Sequence, residues 1–281
     1  MWQKINDFVH ANTVFSALLF TVFFLLLTTA VGLPVVSGGI VVEAIGMPIF
    51  IAYQLALSLT GIWFMRKLHL LDADDFRFRN IGKGFLLGWV VLLLTILNFV
   101  LNFTSPPEGG FLAPAPLFLL TVILYPFIVS GLFEEVVFRG IVLKMLLRKM
   151  GGTKKGIIST FIISAALFGI VHCVHLFWVA PLTVFSDVIL ATAGGMFLGA
   201  IYLRTKTLIA PILLHGLFNL SSMIWWAFTS NGPVSAVETT LADVVTIILI
   251  GVIPLIIAAF VLLGKVKPEE QPEEVAGAFL R

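Results

Sequence analysis

A single cysteine, Cys173, stands among 281 residues, which excludes an intrachain disulfide and a multi-cysteine zinc site. Charge is also scarce. Asp, Glu, Lys and Arg make up 11% of the chain and hydrophobic residues 59%, so an ordinary soluble domain is excluded. No internal repeat is evident, which leaves an inverted-repeat transporter without support. Lysine and arginine are missing from alternate connections: residues 34–40, 104–116, 177–185 and 229–242 contain none. No nucleic-acid partner is expected.

What the chain has instead is apolar runs, about eight of them, each near the 20 residues needed to cross the hydrocarbon core. They fall at 13–33, 41–65, 84–103, 117–143, 157–176, 186–203, 208–228 and 243–264. The first is too long for a cleaved secretory signal and is expected to be an uncleaved anchor. The basic residues occupy the other connections: Arg66, Lys67, Arg77, Arg79 and Lys83; then Lys144, Arg148, Lys149, Lys154 and Lys155; then Arg204 and Lys206. Lys4, Lys265 and Lys267 flank the ends. By the positive-inside rule both termini are cytoplasmic, and the alternation supports eight spans. The expectation is an all-α, multi-pass protein of the plasma membrane. It forms one transmembrane helical domain over 1–281, with 265–281 as a short acidic tail on the cytoplasmic side. Ser105–Gly110 reads as an external turn-rich loop. Gly84 with Gly88, and Gly195 with Gly199, match the spacing that lets membrane helices approach closely. Trp178, Trp225 and Trp226 lie near predicted membrane edges.

Against this background Glu134, Glu135 and Arg139 stand out, because each charge at a helix centre costs about 3 kcal/mol on insertion scales. On a helix Glu135 and Arg139, four residues apart, share a face and can pair; Glu134 points elsewhere and is left for chemistry. Two further spans carry polar residues at depth: His172 with Phe168 on the fifth, and His215 with Asn219 on the seventh. Two mechanisms use this set. In one, Glu134 is a general base on water, His172 assists, and His215 with Asn219 stabilises an oxyanion. In the other, Glu134, His172 and His215 bind a divalent metal that activates water.

Plainer readings exist for each residue. Glu134, Glu135 and Arg139 could be a buried ion cluster that fixes packing, and either histidine alone could be a satisfied interior residue. His175 reads as an interfacial histidine near the external edge, with a spare-ligand role as the alternative. Cys173 diverges from His172 on a helix and is a poor nucleophile. Asp187, Glu238 and Asp243 lie at external span ends, where charges are solvated, and His10 and His69 lie outside the spans. The joint presence of three polar motifs on separate spans favours a shared site.

At these residues the chain resembles the CAAX prenyl endopeptidase and bacteriocin-processing family, also called CPBP or Abi proteins, whose prototype is the Ras-converting endopeptidase. The family's Glu-Glu-x-x-x-Arg is met by Glu134, Glu135 and Arg139, its Phe-x-x-x-His by Phe168 and His172, and its His-x-x-x-Asn/Asp by His215 and Asn219. The motif-bearing core is about 117–228. The resemblance implies an eight-helix intramembrane endopeptidase with a water-accessible cavity that opens toward the cytoplasm and the bilayer. In it Glu134 is the base, His172 its assistant, His215 and Asn219 the oxyanion site, and Glu135, Arg139 and Phe168 supports. A glutamate mechanism without a bound cofactor is favoured, with zinc or another divalent metal as the alternative. The implied partner is a membrane-associated peptide or protein substrate, whether prenylated or not. Short loops give the chain a prokaryotic look. The rival from another class is a non-catalytic membrane adaptor or bacteriocin-immunity-type protein that retains the motifs.

Overall fold

The computed structural model describes residues 1–37, 40–104, 110–229 and 239–268. The loop at Ser105–Gly109, Glu238 and the acidic tail from residue 269 lie outside the described residues. Among those described there is no strand, and the expected all-α architecture holds. The helices are α1 (Trp2–Ala11), α2 (Thr13–Ser37), α3 (Ile40–Lys67), α4 (Ile81–Leu87), α5 (Trp89–Thr104), α6 (Pro116–Tyr125), α7 (Lys144–Met150), α8 (Lys154–Ile170), α9 (Pro181–Thr205), α10 (Ile209–Thr229), α11 (Leu241–Thr246) and α12 (Ile253–Gly264).

Seven helical segments among the described residues are long and apolar enough to cross a membrane, or eight if one bent pair counts as a span. That pair is α4 with α5, bent by 69° at Gly88. The apolar run over 84–103 thus forms a broken span. Its cause is close packing: a β-carbon on Gly84 would stand 2.4 Å from Ala210 Cβ, so the first half lies directly on α10.

The fourth span also departs from a plain α-helix. It runs from Pro116 to Met150 and is π-helical over Pro126–Glu134 and again over Val136–Leu143. Pro126 has no N–H to give to the preceding turn, so the ordinary ladder cannot pass through it unchanged. Such i→i+5 segments are rare and concentrate at functional sites. Residues 135–146 of this span and 195–203 of α9 are buried without exception, and these two stretches form the centre of the fold. Around them pack α2, α3, α8, α10 and α12, while the outer faces of α2, α5 and α12 present exposed apolar residues such as Leu18, Leu93 and Ile257.

All the basic connections gather at one end. Asn6 donates to the Lys67 carbonyl, Lys83 to that of Arg204, Lys154 to those of Gly264 and Val266, and Arg204 to that of Lys265. The connection after α3 is not a solvated strap. Lys144 donates to the Leu70 carbonyl at 2.7 Å and to Asp72 Oδ2 and Asp75 Oδ2 at 2.6 Å each. Tyr202 on α9 donates to Asp75 Oδ1 at 3.1 Å, and the Asp75 carbonyl accepts from the Leu208 N–H. Asp75 is fully buried, and burial outweighs Lys144 in holding its carboxyl above the usual aspartate range.

A carboxyl so raised binds more protons folded than unfolded. Its contribution is largest at low pH and is lost as pH rises through the raised value. Thermal midpoints in detergent should therefore fall more with rising pH, just above the ordinary aspartate range, for the native protein than for Asp75→Asn. Asp75→Ala should cost about 1.5–3 kcal/mol, the range for a lost hydrogen bond to a charged group, because Lys144 keeps the Leu70 carbonyl and Asp72.

Candidate active site

Arg139 is the geometric hub of the buried polar cluster. Its Nη1 donates to Glu135 Oε1 at 2.8 Å, and its Nη2 to the Gly195 carbonyl of α9 at 3.0 Å. Its guanidinium carbon stands 4.7 Å from the centre of the Phe168 ring. Arg139 and Glu135 are 2% and 0% exposed, so the pair expected from i,i+4 spacing is present and dry. Phe168 in turn stacks edge-on against Phe138, His172 and His215 at 4.9, 5.3 and 5.9 Å between ring centres. Room for that ring depends on Gly195, where an added β-carbon would meet Phe168 Cδ1 at 2.9 Å.

His215, on α10, lies between the two glutamates. Its Nδ1 is 2.9 Å from Glu135 Oε1 and its Nε2 is 3.8 Å from Glu134 Oε2. The expected pairing of Glu135 with Arg139 is present, and His215 joins it. One carboxylate oxygen of Glu135 accepts from both Arg139 and His215, because the imidazole's two nitrogens reach both adjacent carboxylates across the helix interface. Glu134 itself keeps 23% of its side chain exposed, in contrast to Glu135.

That exposed part borders a cavity of about 110 Å³. Its walls are Phe24 and Leu25 of α2 and Phe133, Val137 and Phe138 of the π-helical span. His172 and His175 also line it. His172 Nδ1 is 3.0 Å from the Phe168 carbonyl, which can only accept. The proton therefore sits on Nδ1, and the neutral ring keeps a lone pair on Nε2.

Glu134 and His172 are thus brought to one cavity, with His215 in contact with Glu134 from behind. Asn219 follows His215 by one turn on α10 and is half-buried, but it neither borders this cavity nor hydrogen-bonds to the cluster. His175, expected to be interfacial with a spare-ligand role as the alternative, also lines this cavity. Its chain segment, Val171–Phe177, is a 3₁₀-helix, in which residues three apart eclipse, so His175 stands over His172. The His-x-x-His spacing was visible in the sequence, but the tighter winding that gives it meaning was not. Among the described residues no three His, Cys, Asp or Glu side chains converge as a metal-holding group, so the donors present do not fit the zinc arrangement.

Residues 116–221 match the family model described as type II CAAX prenyl endopeptidase, Rce1-like. The match takes in every site residue named above except those of α2. No curated protein and no solved structure matches the chain.

Arg139 spends two separate nitrogens on partners in two directions, which a lysine cannot do. Arg139→Lys should therefore lower stability by about 1.5–3 kcal/mol, the range for a lost hydrogen bond to a charged group, read as a fall in thermal midpoint in detergent.

Proposed function

We propose that the chain, whose residues 116–221 match the type II CAAX prenyl endopeptidase model, is an intramembrane endopeptidase that uses Glu134 to activate water. The observation that carries this reading is the asymmetry of the two adjacent carboxylates. Glu135 is dry and bonded to Arg139 and His215, whereas Glu134 has a solvent-facing oxygen at the cavity that His172 also lines.

In the proposed step Glu134 takes a proton from a water oriented by the Nε2 lone pair of His172, and the water oxygen bonds to the scissile carbonyl carbon. The oxyanion that forms needs donors. His215 can serve from Nε2 when doubly protonated, its charge balanced by Glu135 at one nitrogen and Glu134 near the other. Asn219, one turn away, is the second donor of the reading. Collapse breaks the C–N bond, and the departing amine takes up a proton. No step of this reading requires a metal. The apolar lining favours a membrane-associated peptide. The gathering of the basic connections with both ends of the described chain supports a plasma-membrane orientation with cytoplasmic termini.

The test is hydrolysis, by purified protein in detergent, of internally quenched peptides: a farnesylated CAAX-type peptide and an unprenylated apolar one. Glu134→Gln should lower turnover at least about 100-fold with an unchanged thermal midpoint. Undiminished cleavage by that variant would overturn Glu134 as the base, whereas no cleavage by the native protein together with a cellular phenotype that Glu134→Gln preserves would support the non-catalytic adaptor reading. Incubation with a chelator should leave the native rate unchanged, and a loss that added zinc restores would overturn the metal-free form.

A further inference from the structure

His175 and Asp187 form a second polar pair at the same cavity. His175 Nδ1 lies 3.7 Å from Asp187 Oδ2 on α9, and the His175 ring is 5.6 Å from that of His172, nearly perpendicular to it. Its other side rests on Trp178, also 5.6 Å away between ring centres. His175 is 36% exposed and lines the cavity together with Glu134 and His172. A solvated edge histidine needs none of these partners. The arrangement is the one that orients an imidazole for proton transfer: a carboxylate at one nitrogen, an aromatic face fixing the ring, and the second nitrogen left for the space the ring lines.

Glu134 and His172 as assigned above can both accept a proton from the attacking water, but neither begins with one to give. Hydrolysis of an amide also needs a proton delivered to the leaving nitrogen. We propose that His175, held by Asp187, is that donor. His175 then stands about 6 Å, one 3₁₀ turn, beyond His172 along the same wall. The groups facing it are Asp187 from α9, His172 from its own segment and Glu134 across the cavity; α2 contributes only the uncharged Thr21 and Thr28.

The proton count closes. Water loses one proton to Glu134 as its oxygen bonds to carbon. The imidazolium of His175 gives one from Nε2 to the amine nitrogen as the C–N bond breaks. The site is left with protonated Glu134 and neutral His175, and the proton passes from the first to the second through solvent to restore the starting state. Asp187 stays ionised throughout and offsets the imidazolium charge.

This inference rests on the endopeptidase reading and is tested beside it. The quenched peptide cleaved best by the native protein is compared with the p-nitrophenyl ester of the same acyl portion, whose phenolate leaves without being protonated. His175→Gln should lower kcat for the peptide about 100-fold at unchanged KM, while ester hydrolysis stays within a factor of about two. Asp187→Asn should give a smaller loss with the same selectivity for the amide. Both variants should keep the native thermal midpoint, since neither residue is buried. Equal loss on peptide and ester, or no loss on either, overturns the assignment while Glu134-dependent hydrolysis keeps the endopeptidase reading. Absence of any Glu134-dependent hydrolysis overturns both.

Discussion

A guanidinium and a carboxylate 2.8 Å apart, with almost no contact with solvent, cannot be parted without stranding a charge in the interior. Arg139 and Glu135 are such a pair, and the geometry of the site follows from what else they hold. Through Nη2 the pair fixes α9 at the Gly195 carbonyl, and through the face of Phe168 it fixes the end of α8. Through Glu135 Oε1 it fixes the His215 ring on α10. Three helices are thus registered against the fourth span by one ion pair. The neighbouring Glu134 is left out of that bonding and turned to the cavity. Had both carboxylates been neutralised in the same way, neither would remain a base.

Departures from α-helical winding do as much as the charges to place the side chains. The π-helical stretches on either side of Glu135 put an unusual backbone under Glu134 and Arg139. The 3₁₀ turn after α8 brings His172 and His175 to one wall, and the break at Gly88 lets α4 lie on α10. In each case an irregular backbone would be costly in lipid, where unsatisfied N–H and C=O groups find no water. It is tolerated here because the segment is packed inside the protein or borders a cavity.

These same departures mark the limit of what the sequence revealed. Charge scarcity, span positions and alternation of basic loops rest on composition and length, and they carried over to the structure with one span broken. Glu135 with Arg139 was legible because four-residue spacing is local. The sharing of Glu135 by His215 was not, since it depends on how two distant spans meet. His175 lies one turn from His172 and so shares its side of the segment, but its nearness to the external edge points to an interfacial residue; that a cavity reaches it depends on how α2 and the fourth span meet. Lys144 counts in the sequence only among the basic connections, and nothing there marks Asp72 or Asp75. The burial of Asp75 and Lys144 follows from the packing of residues 68–75 against the fourth span and α9, and no local pattern encodes that.

That buried loop completes the constraint on the site. Lys144 follows the second π-helical stretch directly and is held by three oxygens of the loop, one of whose carboxylates is bonded to Tyr202 on α9. Arg148, one turn on, donates to the carbonyls of Leu68 and His69. The fourth span is therefore tied to α9 twice, by Arg139 to Gly195 in the interior and by Lys144 through Asp75 to Tyr202 at the basic end. Two fixed points on each of two facing helices prevent both sliding and rotation, whereas one would still permit a swivel. In the proposed reaction the Glu134 carboxylate meets a water within hydrogen-bond distance and needs that restriction, because a small rotation of the span would carry it away from His172.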